Sequence, residues 1–137
     1  MTGHQPHPGT GRTVMGEIVQ KINIEQVLRG IGVTDVKTVN PLDLNSSVAF
    51  VREMADKTGV KAIIFKSPCI AITKPEFSLH IDAEKCIGCK KCIRELGCPA
   101  IVLDNGNVYI DDTMCTGCGL CSQVCPAAAI IGGKKHE

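Results

Sequence analysis

The sequence is poor in aromatic residues and has no stretch suited to a membrane. Aromatic residues make up 3% of the 137 positions and tryptophan is absent, while hydrophobic residues make up 44%. The core must therefore be built from aliphatic side chains and alanine, and the composition is not that of a disordered chain. No run approaches the roughly 20 apolar residues of a membrane span, and Met1–Pro8 does not resemble a signal peptide. We expect a soluble cytoplasmic protein, and no membrane partner.

The chain also has little net charge. Fifteen basic and 14 acidic residues leave a formal charge of +1. A nearly neutral chain has no overall field of the kind that attracts nucleic acids or anionic surfaces. We therefore predict no nucleic-acid partner. A length of 137 residues also limits the chain to one domain, or to one small domain with an attached segment.

Cysteine is the residue type that the chain has in excess. Nine cysteines are present, and all except Cys69 lie between Cys86 and Cys125. In a chain without an export signal, such cysteines are typical of metal ligands and not of disulfides. Cysteines spaced two residues apart also cannot pair with one another without strain. The sequence therefore predicts a metal centre in the second half of the chain.

The clustered cysteines form two copies of one motif, and the three closely spaced cysteines of the second copy each lie 29 positions after those of the first. Each copy has three closely spaced cysteines and a later Cys-Pro pair, which suits a cubane iron–sulfur cluster because one loop reaches three irons. In proteins with two such clusters, the fourth cysteine of each motif binds the other cluster. We therefore predict two [4Fe-4S] clusters. The expected ligands are Cys86, Cys89, Cys92 and Cys125 for cluster one, and Cys115, Cys118, Cys121 and Cys98 for cluster two.

Zinc is the alternative metal, because it also takes four cysteines. Zinc sites typically draw two ligands from each of two separated pairs, whereas triplets recur here. Gly88 and Gly117 occupy the same place in the two loops, where the missing side chain lets backbone N–H groups approach cluster sulfur.

Several further residues could carry function or could be structural. Cys69 is left over once eight cysteines are assigned, and the simplest interpretation is a buried thiol. The four histidines have no ligand spacing and are interpreted as surface or packing residues; they are His4, His7, His80 and His136. A basic patch near the first motif is either a solvated face or a docking surface, and it comprises Lys85, Lys90, Lys91 and Arg94.

The first half of the chain has the pattern of alternating helices and strands. Helical spacing follows Asn23 and ends with a predicted left-handed stop at Gly30, and Val36–Val39 alternates like a strand. A second helix is predicted after caps within Asn45–Ser47, and a buried strand at Val60–Phe65. This order indicates part of an α/β domain with a parallel sheet. Two strands are few for an independent sheet, so we expect this segment to pack against further protein.

Changes in composition suggest the domain boundaries. We predict a partial α/β segment at 1–66, a linker at 67–77, the metal-binding domain at 78–131 and a flexible tail at 132–137. Within the metal-binding domain, Asn105-Gly106 between two apolar runs predicts a β-hairpin. The predicted fold class is α+β.

The motifs resemble a known family. The segment Cys86–Ile130 resembles the dicluster bacterial ferredoxin domain, and the wider chain resembles the C-terminal part of the alpha subunit of indolepyruvate:ferredoxin oxidoreductase. The second resemblance rests on Met1–Gly11, Val39–Asp43, Lys66–Cys69 and Glu95–Ile101. One departure from the simplest ferredoxin pattern is the five residues between Cys92 and Cys98, where the second copy has three.

The resemblance implies an electron-transfer role. The family uses thiamine diphosphate and coenzyme A to decarboxylate aryl-pyruvates oxidatively, and it passes electrons through its clusters to an external ferredoxin. The family's magnesium-diphosphate loop is absent from this sequence, so we expect a fragment or split subunit that carries the tail of the thiamine domain. Thiamine diphosphate would be bound only in the intact enzyme, with other subunits as partners. No residue of this chain is predicted to be catalytic, and the chain alone should not decarboxylate a substrate.

Two other functions remain open at this point. A free-standing dicluster ferredoxin would carry electrons without an attached enzyme, although it would not need the first half of the chain. A structural cluster or zinc module would instead serve an interaction.

Overall fold

The computed structural model describes residues 7–69 and 76–135. The chain divides into two compact units, Met1–Ile72 and Thr73–Glu137, which we call unit 1 and unit 2. In the described ranges, no helix has the length and apolar character needed to cross a membrane.

Unit 1 contains the predicted alternation of helices and strands. Its elements are α1 (Ile24–Gly30), β1 (Asp35–Val39), α2 (Leu44–Asp56) and β2 (Lys61–Phe65). The two strands pair in parallel, with Asp35 opposite Lys61 and Val39 opposite Phe65. Parallel strands need a crossover connection, and α2 provides it.

The helix ends differ in detail from the sequence prediction. Asn23 caps α1 as expected, and its side chain accepts a hydrogen bond from Gln26 N–H at 3.2 Å. The left-handed residue after α1 is Gly32, with φ of 96°, and not Gly30, because Ile31 continues the helical hydrogen bonding to Val27.

The second helix begins earlier than the predicted caps. Asp43 is its N-cap, and the Asp43 carboxylate accepts a hydrogen bond from Ser46 N–H at 3.1 Å. This contact satisfies one of the free N–H groups of the first turn, so the predicted capping residues Asn45–Ser47 lie inside the helix.

Unit 1 has a small core and many exposed aliphatic side chains. Val33, Val36, Val39 and Met54 are buried. The strand predicted to be buried, Val60–Phe65, is covered only in part. Phe65 is 52% exposed, and Val60, which precedes the first residue of β2, is 74% exposed. A sheet of only two strands with short helices beside it gives each strand little cover, which explains the difference.

Unit 2 contains four strands and two short helices within its described residues. They are β3 (Phe77–Ile81), α3 (Lys91–Leu96), β4 (Ile101–Asp104), β5 (Asn107–Ile110), α4 (Leu120–Val124) and β6 (Ile130–Lys135). The predicted hairpin is β4–β5, and positive φ angles at Asn105 (47°) and Gly106 (84°) form its turn. Strand β6 pairs with β3 as far as Lys135, where the sequence predicted a flexible tail.

The 29-residue repeat is visible in the strand pairing. Ile81 lies opposite Ile130, and the equivalent pair in the other sheet is Ile110 opposite Ile101. The strand that ends each copy therefore pairs with the strand that begins the other copy. Between the two sheets lies the core of unit 2, which consists of Leu79, Ala100, Ile101, Cys115, Cys121 and Ile130.

Candidate metal centre

Four predicted ligands of cluster one surround one cavity. The lining of this cavity includes Cys86, Cys89, Cys92 and Cys125. Burial raises the pKa of the Cys92 thiol, and the neighbouring Cys125 and Cys89 raise it further. Cys125 reaches this loop because it precedes β6, whose partner β3 leads into Cys86.

The ligands predicted for cluster two also lie together. Burial raises the pKa of the Cys121 thiol to about 11, and Cys118, Cys115 and Cys98 act on it in the same direction. Cys98 is brought here by the equivalent route, since it precedes β4 and β4 pairs with β5, which leads into Cys115. The crossing of the fourth cysteine thus follows from the strand pairing.

Matching turns hold the two loops in place. Cys86 N–H donates to the Asp82 carbonyl at 2.9 Å, and Cys115 N–H donates to the Asp111 carbonyl at 3.0 Å. The N–H groups of these two aspartates donate to the carbonyls of Ala129 and Ala100, both at 2.8 Å. The two alanines are themselves 29 residues apart and each precedes an isoleucine. This repeated Ala-Ile pair could have extended the motif, but the cysteine spacing alone does not include it.

The two loop glycines share a backbone conformation but not an environment. Gly88 has φ of 65° and Gly117 has φ of 67°, in the region that favours glycine. A Cβ atom at Gly117 would lie 2.4 Å from the carbonyl oxygen of Phe77 in β3, whereas nothing lies within 4 Å of one at Gly88. A close contact between the loop backbone and β3 is therefore found at the glycine of the second loop and not at that of the first.

Backbone N–H groups donate to cysteine sulfur in both sets. Leu79 N–H lies 3.3 Å from Cys115 Sγ, and Ala129 N–H lies 3.4 Å from Cys125 Sγ. Such donors favour the charged thiolate that an iron–sulfur cluster requires. Both donors are backbone groups, so the residue types could not have revealed these contacts.

The unequal spacing of the two motifs is compensated within each copy. The two extra residues after Cys92 lengthen α3 to six residues, against five in α4, and the chain turns at Gly97 with φ of 56°. The second copy instead has its two extra residues after Cys125, where the chain turns at Ala128 with φ of 48°. Ala100 and Ala129 therefore lie at equivalent places despite the insertion.

The remaining candidate residues lie outside these two sets. Cys69 is exposed, so the interpretation as a buried thiol is wrong; the residue lies on a loop after β2 and not in a core. His80 is exposed, and His7 Nδ1 accepts a hydrogen bond from Gly9 N–H at 3.1 Å. His4 and His136 fall outside the described residues.

Comparison with known proteins agrees with this geometry. Residues 79–132 match the family model described as a 4Fe-4S dicluster domain. Indolepyruvate oxidoreductase subunit IorA of Methanothermobacter thermautotrophicus is 41% identical over 135 residues, covering 95% of this chain and 21% of the relative. The subunit of the same name from Archaeoglobus fulgidus is 35% identical over 142 residues, covering 99% of this chain and 23% of the relative.

The chain spans about a fifth of the length of the curated relatives that it matches. The resemblance predicted from the sequence motifs is confirmed, since it extends over nearly the whole chain. The protein carries a 4Fe-4S dicluster domain at residues 79–132, within a chain similar to part of indolepyruvate oxidoreductase subunit IorA.

Proposed function

We propose that this chain is the electron relay of an indolepyruvate, or related 2-oxoacid, oxidoreductase. The observation that carries the proposal is the strand pairing, which delivers Cys125 to the first cysteine loop and Cys98 to the second. Cluster one is then held by Cys86, Cys89, Cys92 and Cys125. Cluster two is held by Cys115, Cys118, Cys121 and Cys98.

The residues present fit two such clusters. Eight thiols are divided into two sets of four, and a [4Fe-4S] cluster takes one thiolate at each iron. When bound, each cluster supplies one-electron oxidation and reduction. The chain's own contribution is to position the thiolates, to donate N–H groups to the sulfurs of Cys115 and Cys125, and to exclude water. Water exclusion is the role proposed for Leu79, Ile101 and Ile130, which are buried beside the cysteines.

A single zinc ion fits the arrangement less well. The four cysteines of cluster one surround a cavity, whereas ligands of one tetrahedral ion converge on a point about 2.3 Å from each sulfur. Within residues 7–69 and 76–135, no group of three His, Cys, Asp or Glu side chains is placed to hold a single ion.

Metal analysis of the anaerobically purified full chain tests the proposal. We expect about eight iron atoms and eight acid-labile sulfides per chain, and visible absorption that dithionite bleaches. Zinc without sulfide would refute the iron–sulfur assignment. If iron is bound but dithionite does not change its absorption, the cluster is structural and the relay function is refuted.

Unit 1 is proposed to be the tail of a thiamine-diphosphate-binding domain whose remainder lies on another polypeptide or on a longer form of this chain. Its exposed aliphatic side chains support this, because Val14, Met15 and Ile18 are 92%, 89% and 86% exposed. Thiamine diphosphate would be bound only by the intact enzyme, and an external ferredoxin would accept the electrons. Co-purification with a thiamine-binding subunit is expected; a free-standing ferredoxin would purify alone.

A further inference from the structure

The two cysteine loops differ in exposure although their sequences are equivalent. Each of the three loop cysteines of the first motif is more exposed than its counterpart 29 residues later. The matched pairs are Cys86 with Cys115, Cys89 with Cys118, and Cys92 with Cys121. Cys115 and Cys121 are only 9% and 7% exposed, whereas Cys89 is exposed.

Strand β3 accounts for this difference. Its Leu79 N–H contacts Cys115 Sγ, and its Phe77 carbonyl lies where a side chain of Gly117 would be. The first loop instead presents Ile87, which is 69% exposed, at the residue after Cys86. The surface of unit 2 therefore comes closest to the cysteines at the first loop.

Charge separates the two loops in the same direction. Residues 84–95 include four basic and two acidic side chains, while the matched residues 113–124 contain no charged side chain. Two of the four cations pair with carboxylates: Lys85 with Asp82 at 3.0 Å, and Lys91 with Glu95 at 3.8 Å. The guanidinium of Arg94 donates to the carbonyl of Cys89 at 3.3 Å.

Lys90 and Arg94 both carry a charge that no carboxylate pairs in the described residues, and the Lys90 side chain also lacks a hydrogen-bond partner there. In the described part of the chain, no carboxylate lies within 4 Å of its ammonium group, and the residue is exposed. Its φ is 57°, a left-handed conformation that disfavours side chains, and the equivalent residue of the second loop is Gly119 with φ of 78°. A strained residue beside a functional group motivates a functional hypothesis.

We propose that Ile87, Cys89 and Lys90 form the face through which electrons leave this domain, and that this face docks a small acidic one-electron carrier protein. The inference rests on the proposed relay function and identifies its exit. A cluster held by Cys86, Cys89, Cys92 and Cys125 would supply one electron to the carrier, which would be reduced as the cluster is oxidised, with no bond formed or broken. An exposed aliphatic residue with a free cation beside it offers apolar contact together with charge complementarity.

A charge swap between the two loops tests this assignment. Lys90→Gly removes the cation and relaxes the backbone, and the double variant Lys90→Gly with Gly119→Lys moves the cation to the second loop at unchanged net charge. Ile87→Thr is a separate variant that copies Thr116, the matched residue of the second loop. The probe is an oxidised acidic plant-type [2Fe–2S] ferredoxin, titrated calorimetrically into the full-length, cluster-loaded protein at low and high ionic strength. A basic c-type cytochrome is the control probe.

We expect Lys90→Gly to weaken ferredoxin binding about five-fold at low ionic strength, with a smaller effect in high salt. The double variant should remain as weak as Lys90→Gly, Ile87→Thr should also weaken binding, and no variant should weaken cytochrome binding. Unchanged ferredoxin affinity in Lys90→Gly, or recovery in the double variant, would overturn the docking assignment. Iron and sulfide analysis of each sample separates the two hypotheses, because absent clusters refute the relay itself, whereas loaded clusters with charge-independent binding refute only the exit face.

Discussion

Replacing Gly117 with alanine should destabilise the domain more than the same change at Gly88. Both residues have φ near 66°, so both alanine variants place a side chain in the left-handed region. That conformation costs about 1 kcal/mol or slightly more for a residue with a Cβ atom. This part of the penalty is common to the two variants.

The environments of the two glycines set the difference. At Gly117 the new Cβ would lie 2.4 Å from the carbonyl oxygen of Phe77, a backbone atom that cannot rotate away. Relief requires β3 to move, which also disturbs the contact from Leu79 N–H to Cys115. Overpacking of this kind typically costs about 1–3 kcal/mol. We therefore expect a total of about 2–4 kcal/mol for Gly117→Ala and about 1 kcal/mol for Gly88→Ala.

Anaerobic loss of the visible cluster absorption in urea measures this difference. Cluster loss is irreversible, so the quantity to compare is the rate at a fixed urea concentration. An extra 1–3 kcal/mol corresponds to roughly 5-fold to 150-fold faster loss if it acts fully on the unfolding barrier. Equal rates in the two alanine variants would show that β3 does not lie against the second loop, and would refute the reasoning.

Three further changes test the site. Cys125→Ser should damage the electron paramagnetic resonance signal of cluster one more than that of cluster two; damage confined to cluster two would contradict the crossed assignment. Asp111→Ala removes hydrogen bonds from Thr113 that lower the pKa of the carboxyl group, and should lower the thermal stability at neutral pH. Because the pKa is lowered, this stabilisation is present above about pH 3.8 and is lost as the pH falls further; an equal effect on thermal stability at pH 3 would disprove it. Cys69→Ser should leave the iron and sulfide content unchanged, and loss of one cluster would show that Cys69 is a ligand.

The sequence alone determined the chemistry and the order of the elements. Cysteine spacing depends on residue type and position along one loop, so it predicted the sets of ligands without any knowledge of packing. The hairpin at Asn105-Gly106 and the helix after Asn23 were also predictable, because turns and caps depend on neighbouring residues.

The tertiary structure decided the features that depend on distant residues. Covering of the second loop by β3, the exposure of Cys69 and the extension of β6 to Lys135 all arise from which chain segments meet. The two copies of the motif are nearly equivalent in sequence, so the sequence does not predict which of the two loops β3 covers. Only pairing of β3 with β6 places Phe77 against Gly117 and leaves Ile87 exposed, because contacts between segments far apart in sequence leave no local pattern.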